Sequence, residues 1–354
     1  MDLENNMGLD EKKTSKSSYL FFTVMGFVFI FCFVFSILGN IFLSVALVAS
    51  SAENMNLESS PISFNIKTIE GEGEEEVLVI PLDGIIMDSD SDTTMWMKSI
   101  KADNVIRQLK EAEKRTTIKA VLLKINSPGG ALHPTDKIYQ AILQFKEKTN
   151  IPVIAYLDTT AASGGYYIAV ACDYIISDSL CITGSIGVIM SFIQAKELLE
   201  NKLGIKSVVI KSGKHKDIGS VYREVTEKED EILNNMIQEM YSRFLDVVIK
   251  GRKRLAELSI DEVKEIADGR IYTGTQAKEL GLVDELGDFK KAISYCRKVG
   301  NVRSTKVIQF ETKKTIFQEV FANASMSENK ISDILKNLGI QSVPPGIYYM
   351  WVLE

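Results

Sequence analysis

Residues 118–157 read IKAVLLKINSPGGALHPTDKIYQAILQFKEKTNIPVIAYL, and this stretch decides the fold. The opening IKAVLLKI is apolar and rich in β-branched residues without a helical period, the mark of a buried strand. The glycine loop NSPGG closes it. In the following DKIYQAILQFKEK, Ile138, Ile142 and Phe145 recur at the spacing of one helix face. PVIAYL then returns as a second β-rich run. Strand, crossover helix and strand make one parallel pair. The alternation continues outward on both sides. VLVIPLDGII precedes a helical DNVIRQLKEAEKR with Val105, Leu109 and Ala112 on one face, and DYIIS and KSVVIK follow as further β-rich runs. An α/β core around a mostly parallel sheet is predicted from about residue 76 to about residue 222.

The bulk composition limits the function. At 354 residues, 45% hydrophobic and 25% charged, the chain can bury a sizeable core. A net charge of −6, with no basic stripe carrying interleaved aromatics, speaks against nucleic acid as a partner. The four cysteines, Cys32, Cys172, Cys181 and Cys296, form no CxxC pair and read as small apolar filler. Only two histidines occur, His133 and His215.

From Tyr19 to Ala49 the chain carries no charge. A membrane-spanning helix needs about 20 such residues, and a signal peptide has a much shorter apolar core. Small residues at Ala46, Ala49 and Ser50 leave a cleavage site open, yet length favours a retained anchor. Lys12, Lys13 and Lys16 precede the run while Glu53 and Glu58 follow it, which predicts a cytoplasmic amino terminus and an exported bulk. The expected organisation is a cytoplasmic segment 1–18, an anchor 19–49, a polar linker 50–75, a catalytic domain 76–300 and a carboxyl-terminal extension 301–354. Within the catalytic domain, capping boxes at Thr226 with Glu229 and at Ser259 with Glu262 open two helices. DGRIYTGTQAKELGLVDELG follows as a short helix between glycine turns. The aromatic tail VPPGIYYMWVLE is expected to dock on the domain or on a neighbour.

Three loops stand at the carboxyl ends of predicted strands, where open α/β sheets bind ligands. They are NSPGG at 126–130, AASGG at 161–165 and SGKHKDIGS at 212–220. Glycine pairs expose backbone N–H groups, the donors that acyl transfer needs for its oxyanion. Ser163 stands at a helix start, either as an exposed nucleophile with an N–H donor at Gly164 or as an ordinary N-cap. His133 reads as a helix cap or a solvent-facing residue. His215, flanked by Lys214 and Lys216, reads as part of a basic loop rather than as a base held by a carboxylate. A desolvated lysine is the other candidate base, and spacing alone leaves Lys214 and Lys216 both open.

Taken together, NSPGG, AASGGYYIAVACD, TGSIGVI, KSGKHKDIGS and DGRIYTGTQAKELGLVDELG resemble the bacterial signal peptide peptidase A family, serine peptidases with a Ser–Lys dyad. The resemblance covers most of residues 76–290. It implies a ClpP/crotonase-like β-α-β superhelix with carboxyl-terminal helical elements, preceded by one transmembrane helix. It also implies Ser163 as nucleophile and Lys216, directly before Asp217, as general base. Gly130 and Gly164 would be the oxyanion donors, with Gly129 a rival to Gly130, and Ser185 in TGSIG an orienting hydroxyl. A single catalytic domain per chain is implied, in a homo-oligomeric ring at the bacterial cell membrane whose lysines serve the serines of adjacent protomers. The substrates would be cleaved signal peptides and similar unfolded hydrophobic segments, with no metal or other cofactor. Two alternatives differ in class: a crotonase-like acyl-CoA hydratase or isomerase, and an inactive peptidase-like scaffold. The first has no use for Ser163 with a distant lysine, and the second has no reason to keep both.

Overall fold

The computed structural model describes residues 25–40, 43, 64–88, 98–312 and 347–350. The chain divides into two compact units, Met1–Ser63 and Phe64–Glu354. Of the first, residues 25–40 form a helix (α1) whose residues are all exposed. Much of the predicted anchor 19–49 lies outside the described residues. Among those described, no helix is long and apolar enough to cross a membrane.

In the second unit, Val, Ile and Leu fill successive positions of the central strands, so both strand faces are apolar and both must be covered. Along β2 (Glu75–Asp83), Leu78, Ile80 and Leu82 enter one core cluster while Val77 and Val79 enter another. Along β5 (Ile118–Ser127), Val121, Leu123 and Ile125 oppose Ala120 and Leu122 in the same way. The first cluster takes the apolar faces of α2 (Ala102–Glu113) and α3 (Leu132–Thr149), which bring Val105, Leu109, Ile138, Ile142 and Phe145. On the other face lies α9 (Phe289–Val299), with Ala292, Ile293 and Cys296.

The large sheet runs β1 (Phe64–Glu70), β13 (Thr305–Thr312), β2, β5, β7 (Val153–Ala162), β8 (Tyr174–Ser177) and β12 (Glu285–Leu286). All its neighbours are parallel except β1 against β13. β9 (Ile182–Gly184) also joins β7, and β11 (Ile271–Thr273) joins β9. A small second sheet has the order β10 (Ile189–Met190), β14 (Ile347–Met350), β6 (Gly129–Ala131), β3 (Ile85–Met87) and β4 (Ser99–Lys101). The chain passes between the sheets at sharp points. Gly84, with φ 111°, separates β2 from β3, and Pro128 separates β5 from β6. An added Cβ on Gly84 would lie 1.9 Å from the Lys98 carbonyl oxygen, so only glycine fits.

The remaining helices are α4 (Gly164–Ala169), α5 (Glu227–Gly251), α6 (Lys253–Ala256), α7 (Ile260–Ile266) and α8 (Gly274–Leu280), with a π turn at Leu198–Lys202. Both predicted capping boxes form, at Thr226 with Glu229 and at Ser259 with Glu262. A third, Thr273 with Gln276, was not read from the sequence.

Three sequence expectations need correction. Residues 64–70, read as polar tether, form β1: Phe64 and Ile66 alternate with polar residues, and Phe64 stacks on Phe310 at 5.3 Å. The boundary at residue 300 cuts through the sheet, because β13 lies between β1 and β2. KSVVIK forms no strand; residues 205–211 are irregular, with Val208 87% and Ile210 96% exposed. The third loop therefore does not follow a strand.

Candidate active site

β7 changes partner along its length. Ile125 of β5 pairs with Leu157, but Ser127 pairs with Ala161, so β7 bulges between these points. Before the bulge β7 pairs with β8, and after it with β9. Bulges beside active sites re-aim the side chains that follow. The strand ends at Ala162, and Ser163 comes next with φ 51° and ψ −115°. Holding a non-glycine residue in this region costs on the order of 1–3 kcal/mol. Two backbone bonds maintain it: Ser163 N–H donates to the Gly184 carbonyl at 2.8 Å, and the Ser163 carbonyl accepts from Tyr167 N–H at 2.8 Å. Ser163 occupies the N-cap position of α4, yet its side chain makes no capping hydrogen bond. The ordinary N-cap role is therefore absent. The residue is buried.

Helix α4 is short and is held by two fully buried tyrosines. Tyr166 donates to the Leu282 carbonyl at 2.7 Å, and Tyr167 donates to Asp136 Oδ1 at 2.5 Å. The Tyr167 ring also meets Tyr139 and Phe244 edge-on. Burial keeps the Tyr166 hydroxyl protonated by pushing its pKa up. Neither tyrosine was singled out from the sequence, although both stand in the AASGGYY motif.

The NSPGG loop lies against this turn. A Cβ on Gly165 would come within 2.9 Å of the Ser127 carbonyl oxygen. Gly129 has φ 104°, and its N–H donates to Ser127 Oγ at 3.1 Å. Gly130 is constrained by space instead, since a Cβ there would lie 2.1 Å from the Ile86 carbonyl oxygen. Ser127, which was not recognised as a site residue, thus consumes the N–H of Gly129. Ser185 completes the group. It has φ 49°, is buried, and follows Gly184, which pairs with Ala162. Ser163 and Ser185 accordingly leave neighbouring strands from a matched pair of positions.

Lys216 is exposed, in a turn where its N–H donates to the Gly213 carbonyl at 3.2 Å, and among the described residues no hydrogen bond joins it to Ser163. Its loop is tied instead to the first turn of α5 through Arg223, Asp217 and Glu229. Here the reading of His215 is corrected: its Nδ1 lies 3.2 Å from Glu229 Oε1, so a carboxylate does hold it. His133 is exposed on α3. Burial pushes Cys181 and Cys296 up to about 12, and Cys172 up as well, which keeps these thiols protonated and inert.

The model of peptidase family S49 matches residues 145–303, and that of Clp protease matches residues 90–179. A candidate signal peptide peptidase SppA of Enterococcus faecium is 32% identical over 289 residues, covering 79% of this chain and 82% of that protein. The chain belongs to peptidase family S49. It is a serine peptidase, and its parallel-rich α/β sheet is consistent with a ClpP-like fold. Membership in this peptidase family sets the acyl-CoA hydratase reading aside. Other relatives of this S49 chain include a candidate protease of Synechocystis, 42% identical over 203 residues (57% of this chain and 70% of that protein). Protease 4 of Haemophilus influenzae is 31% identical over 268 residues, with 76% of this chain covered but 41% of that protein. Ser163 and α4 fall where the two family matches overlap, whereas Ser185 and Lys216 fall within the S49 match.

Proposed function

We propose that Ser163 is the nucleophile of this S49 peptidase, that Lys216 is its general base, and that Gly130 and Gly164 bind the oxyanion through their N–H groups. One observation carries the reading: a strained serine, unused by the helix it precedes, stands at a strand end where two glycine loops meet. Ser163 Oγ attacks the peptide carbonyl while the neutral amine of Lys216 takes its proton. Charge developing on the carbonyl oxygen is met by the two N–H groups, each worth about 3–4 kcal/mol of barrier. Lys216 then gives the proton to the leaving amine as the C–N bond breaks, and an ester remains on Ser163. Water, deprotonated by Lys216, hydrolyses that ester and restores the serine. Gly129 is the weaker donor candidate because its N–H is already bonded to Ser127 Oγ. Ser185 is assigned as the hydroxyl that orients the lysine.

Exposure of Lys216 supports an assembly in which the lysine loop of one copy faces Ser163 of the next. The β-branched run before that loop, Val208 to Ile210, is exposed and apolar. A second copy covering it would also desolvate the amine, and desolvation favours the neutral form. We assign a homo-oligomeric ring on this basis. Peptide binding has a template in the fold itself: the extended backbone of β14 lies antiparallel to both β6 and β10, at the strand that carries Gly130. An unfolded peptide would add to the sheet in the same manner. Similarity to a candidate signal peptide peptidase supports cleaved signal peptides and other unfolded hydrophobic peptides as substrates. The uncharged run 19–49, helical over 25–40 and preceded by lysines, supports a single-pass anchor in the bacterial cell membrane with the catalytic domain outside the cytoplasm.

The test is hydrolysis of an unfolded apolar peptide by the full chain and by its Ser163→Ala and Lys216→Ala variants. Each substitution is expected to lower kcat/KM by at least about a thousandfold. Hydrolysis retained in either variant removes that residue from the mechanism.

A further inference from the structure

We propose that Arg223 is a positioning residue that draws the Asp217 carboxylate away from the amine of Lys216. This rests on the reading of Lys216 as the general base. A carboxylate beside a lysine favours the ammonium form, which cannot accept a proton. Asp217 follows Lys216 directly in the chain, so the base carries a potential inhibitor at the next position.

The structure shows what occupies that carboxylate. Arg223 Nε and Nη2 donate to Asp217 Oδ2 and Oδ1 at 3.0 and 2.7 Å. Lys211 Nζ donates to Asp217 Oδ1 at 2.5 Å and to the Lys214 carbonyl at 2.9 Å. The other edge of the guanidinium grips Glu229, with Nη2 and Nη1 donating to Oε1 and Oε2 at 2.6 and 2.7 Å. Its remaining N–H donates to the Glu224 carbonyl at 2.9 Å, so all five donors are used. Glu229 is 1% exposed and sits in the first turn of α5, where it also accepts from Thr226 N–H at 3.1 Å and meets His215. The charged groups thus sort completely. Asp217 faces Lys211 and Arg223, Glu229 faces Arg223 and His215, and Lys216 makes no ion pair among the described residues. A planar fork that holds two carboxylates at once cannot be reproduced by lysine. With the clamp intact, neither acid is left to pair with the base.

The experiment compares pH–rate profiles of the full chain on an unfolded apolar peptide. Arg223→Gln is expected to move the rising limb up by about one pH unit and to lower kcat/KM near neutrality about tenfold. Adding Asp217→Asn to that variant removes the freed carboxylate and should return the limb to its original position. A clamp that only stiffens the loop would lose activity equally at every pH, and Asp217→Asn would restore nothing; that result overturns the proposal. If Arg223→Gln does not fold, Arg223→Lys keeps the charge but loses the fork that holds Asp217 and Glu229 together; it is expected to move the limb in the same direction, and an unmoved limb there overturns the proposal equally. Lys216→Ala keeps the two readings apart. Full activity in that variant defeats the assignment of the base, whereas an inactive Lys216→Ala beside an unmoved Arg223→Gln limb defeats only the role of Arg223.

Discussion

At Ser163 the backbone adopts φ 51° and ψ −115°, a conformation that glycine reaches at far lower cost than any residue with a Cβ. Alanine at this position keeps the strain and glycine releases it. Ser163→Gly and Ser163→Ala are both expected to be inactive, but the glycine variant should be the more stable by about 1 kcal/mol. For a domain of this size that is a rise in Tm of roughly 2–4 °C, measurable by thermal unfolding. A glycine variant that melts below the alanine one would show that no strain is stored here. The residue itself was legible in the sequence, because a hydroxyl followed by two glycines between buried segments has no packing reason. Its dihedral angles were not, since they depend on the β7 bulge and on the hydrogen bond to Gly184. His215 was misread for a related reason: its carboxylate partner, Glu229, lies fourteen positions away and reaches it only through the fold.

The lysine loop is an element held by charge rather than by apolar packing. Arg223 and then Lys211 hold the Asp217 carboxyl well below the usual carboxylate range, and Arg223 with the Thr226 N–H does the same for Glu229. Groups with depressed values stabilise the folded loop above the unfolded carboxylate value, about 4. That contribution disappears as pH falls through the lower, folded values. Residues 211–223 should therefore resist an acid protease down to about pH 4 and become cleavable only below it. Limited proteolysis across this range checks the expectation. Cleavage that begins well above this range would show that the Asp217 and Glu229 carboxylates do not hold the loop. Helices were the most legible elements, because capping boxes and periodic faces are local signals, as at Thr226 and along Ile138, Ile142 and Phe145. KSVVIK shows the limit of such signals. Its β-branched composition fits a strand, but a strand also needs a partner, and none pairs with it among the described residues.

For the whole molecule, exposed Val208 and Ile210 beside an exposed Lys216 mean that a lone chain presents an unfinished surface. Specific activity is expected to fall on dilution of the solubilised protein, while the thermal stability of the α/β unit stays constant. Val208→Asp with Ile210→Asp should give a folded, inactive monomer, as judged by sedimentation and peptide hydrolysis. A fully active monomer would refute the shared-site assembly. The parallel sheet was legible because its strands are apolar on both faces. Its outer limits were not. β1 is nearly all exposed, and β13 enters from beyond the expected boundary to sit between β1 and β2.

The strand at 347–350 gives the molecule a built-in gauge of occupancy. Its backbone amides are engaged with β6 and β10 as long as nothing else lies there. A bound peptide that takes the same place would free them, so their hydrogen exchange should quicken as peptide is added to the inactive Ser163→Ala chain. Unchanged exchange at saturating peptide would put the substrate path elsewhere.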